Sequence, residues 1–342
     1  MRDRPNRTPL TPADRSELAA DAARLQACFE HVRAHARGEV EGLFGPGSIT
    51  WRVWREGPWV TSMMAMLLLE IAHPGVGSGV VQNSNFQSDV IGRARRTVAS
   101  TAAWVFGDLQ TAITTSYKIH KLHARVRGTI PAEVSPRLAG QPYRANDTQL
   151  LFWVHATIVD SVVRMYEYFV EPLSAAELER YHQESNLLAI LMGVPPDEVP
   201  ATWVDFRAYM DRMLNGDTLE VGPAVRQVAH SLFNTSVTRG PFDEALTLGL
   251  LPPHLREAFG LPWGPRWQRA HDTLFATLRA GRRALPEPLR YLPGYHQGCL
   301  RVAVARGEPL PWDARLVNRL DHWVDLPWSL KPVPIPDVGE DI

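Results

Sequence analysis

Residues 146–171 read NDTQLLFWVHATIVDSVVRMYEYFVE, and their periodicity decides the fold class. Leu151, Val154, Ile158, Val162, Met165 and Phe169 recur at intervals of three and four, the spacing of one face of an α-helix. Asn146 stands where an N-cap belongs, and the helix must end before Pro172. The same grammar repeats outward in both directions. Thr11 reads as the N-cap of a helix with Pro12 at its first position, running to Arg37 and ended by Gly38. Its inward stripe is Leu18, Ala22, Leu25, Phe29 and Val32. A helix from Pro58 to Ala72 is expected to stop at Pro74. Ser88 would cap Asp89–Phe106, and Asp108 would cap the next helix, ending at Gly128. Ser174 and Glu177 form a capping box for a helix ending at Gly193. Thr202 opens another that stops at Asn215-Gly216, and shorter helices are expected from Pro223, Asp243, Pro265 and Pro286. The stretches Pro74–Gly79 and Thr129–Tyr143 read as loops, and 331–342 as an irregular proline-rich tail. No alternating strand pattern appears. The expected fold is all-α, one helical domain over residues 1–330.

The bulk numbers exclude several function classes. A net charge of −1 with scattered basic residues leaves no footprint for nucleic acid or an anionic membrane. Cys28 and Cys299 are the two cysteines, too few for a disulfide framework or a zinc cluster, and a reduced cytoplasmic compartment is expected. The polar start MRDRPNRTPLTPADR has no apolar core of the kind a secretory signal needs. Trp59–Ile71 is the most apolar stretch, but it is too short to span a bilayer and carries Glu70, so no integral membrane segment is expected. No G-x-S-x-G, H-E-x-x-H, Walker or G-x-G-x-x-G pattern is present.

Arg93 and Thr97 lie four apart and share a helix face, while His123 lies on the next helix among Ile119, Leu122 and Val126, so its imidazole is expected to point into the apolar interior. A cation, a hydroxyl and an imidazole on neighbouring helices fit a haem pocket, with the imidazole on iron and the other two facing a propionate or bound oxygen. The blander reading of His123 is a hydrogen-bonded core histidine. His155 is also expected to be buried, as an alternative iron ligand, a pocket hydrogen-bonder or plain packing. Glu70 interrupts an apolar helix and must be paired, neutral or a ligand, and His73 follows at i+3. The Glu-x-x-His spacing recurs at Glu179 and His182, which leaves a di-iron carboxylate site open as an alternative. His120, near Lys118 and Lys121, is expected nearer the surface, and His31 and His35 on an exposed charged helix. Met63, Met64, Met66, Leu67, Leu68, Ile158, Val162 and Met165 would supply an adaptable apolar pocket.

Four segments carry a resemblance: LLLEIAHPGVGSGVVQNSNF, GRARRT, HKLHARVRG, and LLFWVHATIVDS followed by YEYFVEPLS, in this order between residues 67 and 174. The chain resembles the family of the rubber oxygenases, or latex-clearing proteins, and of the fungal oxygenase that shortens a prenyl chain in mycophenolic acid biosynthesis. The resemblance implies a globin-like helical core with one b-type haem. It implies that His123, in His123-Ala124-Arg125-Val126-Arg127, is the iron ligand, and that Arg93 and Thr97 sit in the haem pocket. Two departures stand out. A lysine that serves as a distal ligand in one rubber-oxygenase state is Arg96 here, and a guanidinium stays protonated. His155 belongs to the bacterial branch rather than to the rubber oxygenases. The expectation is a haem-b oxygenase that uses dioxygen on a small apolar, unsaturated, isoprenoid or lipid-like substrate, with C=C cleavage as one outcome. Arg93, Thr97, Glu70 and His73 are the catalytic candidates, and His123, Arg93, Thr97 and His155 the cofactor-binding ones. A non-catalytic haem-binding sensor is the remaining alternative.

Overall fold

The computed structural model describes residues 12–83, 90–235, 241–309 and 312–313. Helices dominate. In chain order they are α1 (Pro12–His35), α2 (Ile49–Trp54), a 3-10 turn (Gly57–Ser62), α3 (Met63–Ala72), α4 (Pro74–Asn83), α5 (Val90–Phe106) and α6 (Leu109–His123). Then come β1 (Arg127–Thr129), β2 (Pro142–Arg144), α7 (Thr148–Phe169), α8 (Ala175–Leu191) and a short 3-10 turn (Pro196–Glu198). Next are α9 (Trp203–Asn215), α10 (Pro223–Thr235), α11 (Pro241–Leu248), α12 (Pro253–Ala258), α13 (Pro265–Ala284), α14 (Glu287–Arg290) and α15 (Pro293–Arg306).

The stretch that decided the fold class is the central helix. Trp153, Ala156 and Val159 of α7 are fully buried. Against α7 pack the 3-10 turn, α2, α3, α8 and α13. α1 lies on α8, α5 carries α6 on one side and α15 on another, and α10 closes over α3 and α4. One connected cluster of buried apolar side chains runs from Leu25 on α1 to Phe275 on α13. Several polar groups inside are paired. Trp51 Nε1 donates to the Val105 carbonyl at 2.7 Å, and Trp54 Nε1 to Tyr181 Oη at 3.0 Å. Glu56, buried at the start of the 3-10 turn, accepts two hydrogen bonds from Arg282 on α13 at 2.7 and 2.8 Å.

Local signals placed several helix ends. Ser174 and Glu177 cap α8 reciprocally, Thr202 accepts from Asp205 N–H at the start of α9, and Asp108 accepts from Thr111 N–H at 2.6 Å. Other expectations need correction. The cap of α7 is Asp147, which accepts from Gln149 N–H; Asn146 is buried and donates to the His120 carbonyl. Pro74–Gly79 is not a loop but the start of α4, set at 103° to the preceding helical segment. Pro74 suits a first helical position, where no N–H is required. The glycines serve close packing, since a Cβ on Gly77 would lie 2.6 Å from the Ile71 carbonyl oxygen. α6 ends at His123, short of Gly128, and the chain then forms a small antiparallel ladder in which Gly128 faces Tyr143. The helix from Pro265 is long, at 20 residues. Thr11, Ser88 and the proline-rich tail lie outside the described residues.

No single helix among the described residues is long and apolar enough to cross a membrane. The pair Gly57–Ala72 and Pro74–Asn83 reaches that length and composition only jointly, across its bend.

Candidate functional site

Four helices present apolar stripes that the rest of the protein covers only in part. On α3 the stripe is Met63, Leu67 and Glu70, leading to His73; on α4 it is Val76 and Gly79. On α6 it is Thr115, Ile119 and His123, continuing to Val126; on α7 it is Val154 and Ile158. Intervals of three and four put each set on one helix face. Partly open apolar side chains on adjoining helices are positions where an apolar group could be covered. The pocket side chains expected from sequence therefore divide. Met63, Met64, Leu67 and Ile158 are partly open, whereas Met66, Leu68, Val162 and Met165 are buried core.

Small residues bring these elements together. A Cβ on Gly75 would lie 2.9 Å from Leu150, so the α3–α4 corner rests on the first turn of α7. A Cβ on Gly79 would lie 3.3 Å from Val126, so α4 lies against the segment that follows His123. Tyr143 holds that contact. Its hydroxyl donates to Gln82 Oε1 at 2.7 Å and accepts from Asn83 Nδ2 at 3.1 Å. Burial raises the Tyr143 pKa, so the phenol stays protonated and the clasp intact. Tyr143 was missed in the sequence because it stands at the end of a stretch that reads as loop. The signal that pointed to it is the pair of glycines, Gly79 and Gly128, that face it.

The two histidines of α6 exchange their expected places. His120 is 5% exposed and faces Gly193, with its carbonyl bound by buried Asn146. Burial pushes its pKa down to about 4, against a smaller opposing pull from Asp21. Lys118 and Lys121 did not predict its exposure, because successive helical residues point 100° apart and the lysines occupy other faces. His120 is the core histidine. His123 is partly exposed, on the same stripe as Ile119 and Val126, with its Nδ1 sealed from solvent.

His73 is the C-cap of α3. Its Nδ1 accepts from the Gly75 N–H at 3.2 Å, which leaves Nε2 as the proton-bearing, donating nitrogen of the neutral ring. Burial lowers its pKa to about 4, opposed by Asp147, so the ring is neutral at physiological pH. Glu70 sits one turn earlier and is partly exposed.

Arg93 and Thr97 both belong to α5. The Arg93 side chain lies outside the described ones. Thr97 is exposed, as are Arg95 and Arg96, and burial along α5 begins at Thr101. His155 is 3% exposed, with its ring 5.8 Å from that of Phe152, which in turn meets Tyr209 of α9. Burial first, and His182 of α8 second, lower its pKa to about 3. It points a quarter-turn away from the Val154–Ile158 stripe, toward α8 and α9.

The second Glu-x-x-His pair is structural. Glu179 accepts from the Trp203 N–H and from Gln183 Nε2, and His182 Nε2 bonds the Pro200 carbonyl at 2.8 Å. Among the described residues no three His, Cys, Asp or Glu side chains are grouped to hold a metal ion.

Residues 51–280 match the family described as "ER-bound oxygenase mpaB/B'/Rubber oxygenase, catalytic domain". The chain belongs to this family. The match extends well beyond the motif segments, from α2 through most of α13, and gives the chain its reaction class, that of an oxygenase. The chain is also 29% identical over 233 residues to the uncharacterized proteins Mb2261 of Mycobacterium bovis and Rv2237 of Mycobacterium tuberculosis, covering 65% of this chain and 88% of each. Among solved structures it is similar to latex clearing protein LCP in the closed state, with a TM-score of 0.56 and 19% identity over 80% of this chain and 82% of that one. At that identity the likeness is one of fold. It agrees with an all-α architecture for this member of the rubber oxygenase family.

Proposed function

We propose that the protein is a haem-b-dependent oxygenase acting on an apolar, unsaturated substrate of isoprenoid or lipid-like character. The observation that carries this reading is the position of His123. Within an oxygenase family, it ends α6 on a partly open apolar stripe, while its helix neighbour His120 is committed to the core. The donor set suits the group, since an imidazole is an ordinary haem-iron ligand and His123 shares its helix face with the partly open Ile119 and Val126. Bound haem would supply the activation of dioxygen, which no side chain here can perform alone.

The chain's own residues do the rest. His123 holds the iron. Arg93 pairs with a propionate or with the polar network on the open side, and Thr97 donates its hydroxyl there. Both roles require a ligand that reaches Thr97, which is exposed. His73 offers Nε2–H as a fixed donor that does not titrate near neutrality. Glu70, on the same face, accepts a proton or a hydrogen bond from the reacting chain. Met63, Met64, Leu67, Val154 and Ile158 exclude water and bind the hydrocarbon by area. His155 tunes the pocket from behind α7 rather than ligating iron.

The deciding experiment is the absorption spectrum of protein produced with ample haem, followed by turnover under labelled dioxygen with a panel of unsaturated terpenoids and lipids. A porphyrin band near roughly 400 nm, with labelled oxygen in the product, is expected. Stoichiometric iron without that band would overturn the cofactor assignment. Haem binding without incorporation across the panel would leave a sensor.

A further inference from the structure

α1 carries a feature the proposed oxygenase site does not use. His31 and His35 are four residues apart, and their rings stack with centroids 4.0 Å apart and planes at 18°. His35 is exposed and His31 is partly buried, at the edge of a cleft of about 1030 Å³ between the end of α1, residues 37–48 and α8. We propose that His31 and His35 form a two-imidazole chelate for one divalent transition-metal ion of the Zn²⁺, Ni²⁺ or Cu²⁺ class.

Three observations support it. First, the spacing puts both rings on one helix face one turn apart, the arrangement by which two helical histidines share a metal. Two nitrogens, each about 2.0–2.1 Å from a zinc ion, are roughly 3 Å apart and aim their in-plane lone pairs at it, so the His31 ring must swing out of its stack on His35 to complete the chelate. Second, the tautomer is set. His35 Nδ1 lies 2.8 Å from the His31 carbonyl oxygen, one turn back on the same helix. A carbonyl can only accept, so Nδ1 carries the proton and Nε2 presents its lone pair. A ligating histidine is commonly oriented by such a backbone bond from its other nitrogen. Third, the donors are nitrogen alone. Glu184, across the cleft, is committed to the N–H groups of Ile49 and Thr50, and no third His, Cys, Asp or Glu among the described residues completes a closed site. Arg37 also lines the cleft and repels a cation held by charge alone. Imidazole nitrogen without carboxylate selects borderline ions over Mg²⁺ or Ca²⁺. The remaining coordination positions face the cleft, open to water or to an anionic ligand lodged there.

The test uses the full chain and needs no haem. Wild type, His31→Gln, His35→Gln and the double variant are titrated with Zn²⁺ by calorimetry, and their Cu²⁺ adducts are examined by electron paramagnetic resonance. Wild type should bind one Zn²⁺ and show hyperfine structure from two nitrogens. Each single variant should bind at least about tenfold more weakly. The proposal is overturned if wild type binds no tighter than about 1 mM, or if binding and the two-nitrogen signal persist in the double variant. His35 is solvent-exposed, so His35→Gln folds and decides the matter even if the His31 variants do not. Mg²⁺ in place of Zn²⁺ should give no heat of binding; equal binding of Mg²⁺ would also overturn it.

Discussion

Imidazoles that look alike in sequence do different work according to what encloses them. His123 sits on an open stripe and His155 in a closed aromatic nest with Phe152 and His182. His123→Ala should therefore abolish the porphyrin band, whereas His155→Ala should keep the band and alter turnover. Far-ultraviolet circular dichroism must show both variants folded, because emptying a buried histidine site can unfold a protein by itself. The reverse outcome would move the ligand to His155. Residue identity was legible in the sequence; direction was not. His120 and His123 share a helix end and similar neighbours in the chain, and only the packing of α6 against the Gly193 loop distinguishes them. Thr97 likewise belongs to a recognisable segment, yet its side chain is exposed.

Elements with strong local chemistry were readable. Ser174-x-x-Glu177 and Thr202 satisfy the first N–H groups of their own helices, a matter of neighbours in sequence, and the structure places both caps there. α4 was not readable, because glycine has low helix propensity and PGVGSG reads as a connection; tertiary contact outweighed that preference. The ladder of β1 and β2 is too short for an alternation to register. The corner at Pro74 depends on close approach, so Gly77→Ala should destabilise the protein by about 1–3 kcal/mol in a urea titration, its Cβ meeting the Ile71 carbonyl. A wild-type midpoint would show that the corner yields. The tie between α13 and the 3-10 turn rests on Arg282 and Glu56, both largely buried. Arg282→Met would strand a buried carboxylate and cost about 3–5 kcal/mol. Adding Glu56→Gln should restore part of that loss, and no recovery in the double variant would show that packing, not charge, carries the tie.

At the scale of the molecule, three neutral histidines make the fold acid-sensitive. His73, His120 and His155 have native pKa values lowered to about 4, about 4 and about 3, all chiefly by burial. An unfolded chain would take up those protons near pH 6.5. Below that value the unfolded state binds more protons than the native one, so stability is complete above about pH 6.5 and falls on acidification. The slope approaches about 1.4 kcal/mol per pH unit for each group until its native pKa is reached. Thermal melts between about pH 7.5 and 4.5 should show the loss, and His120→Gln should flatten it. A melting temperature independent of pH would refute this account. The pairing of α1 with α8 has a consequence of another kind. The ribosome releases α1 long before α8 exists to receive Leu25, Phe29 and Val32. At ordinary synthesis speeds that apolar face waits roughly 8–30 s without its partner. The nascent chain should therefore be a client of ribosome-associated holdases, and pull-down of stalled chains ending before and after Leu191 would show whether release coincides with the arrival of α8.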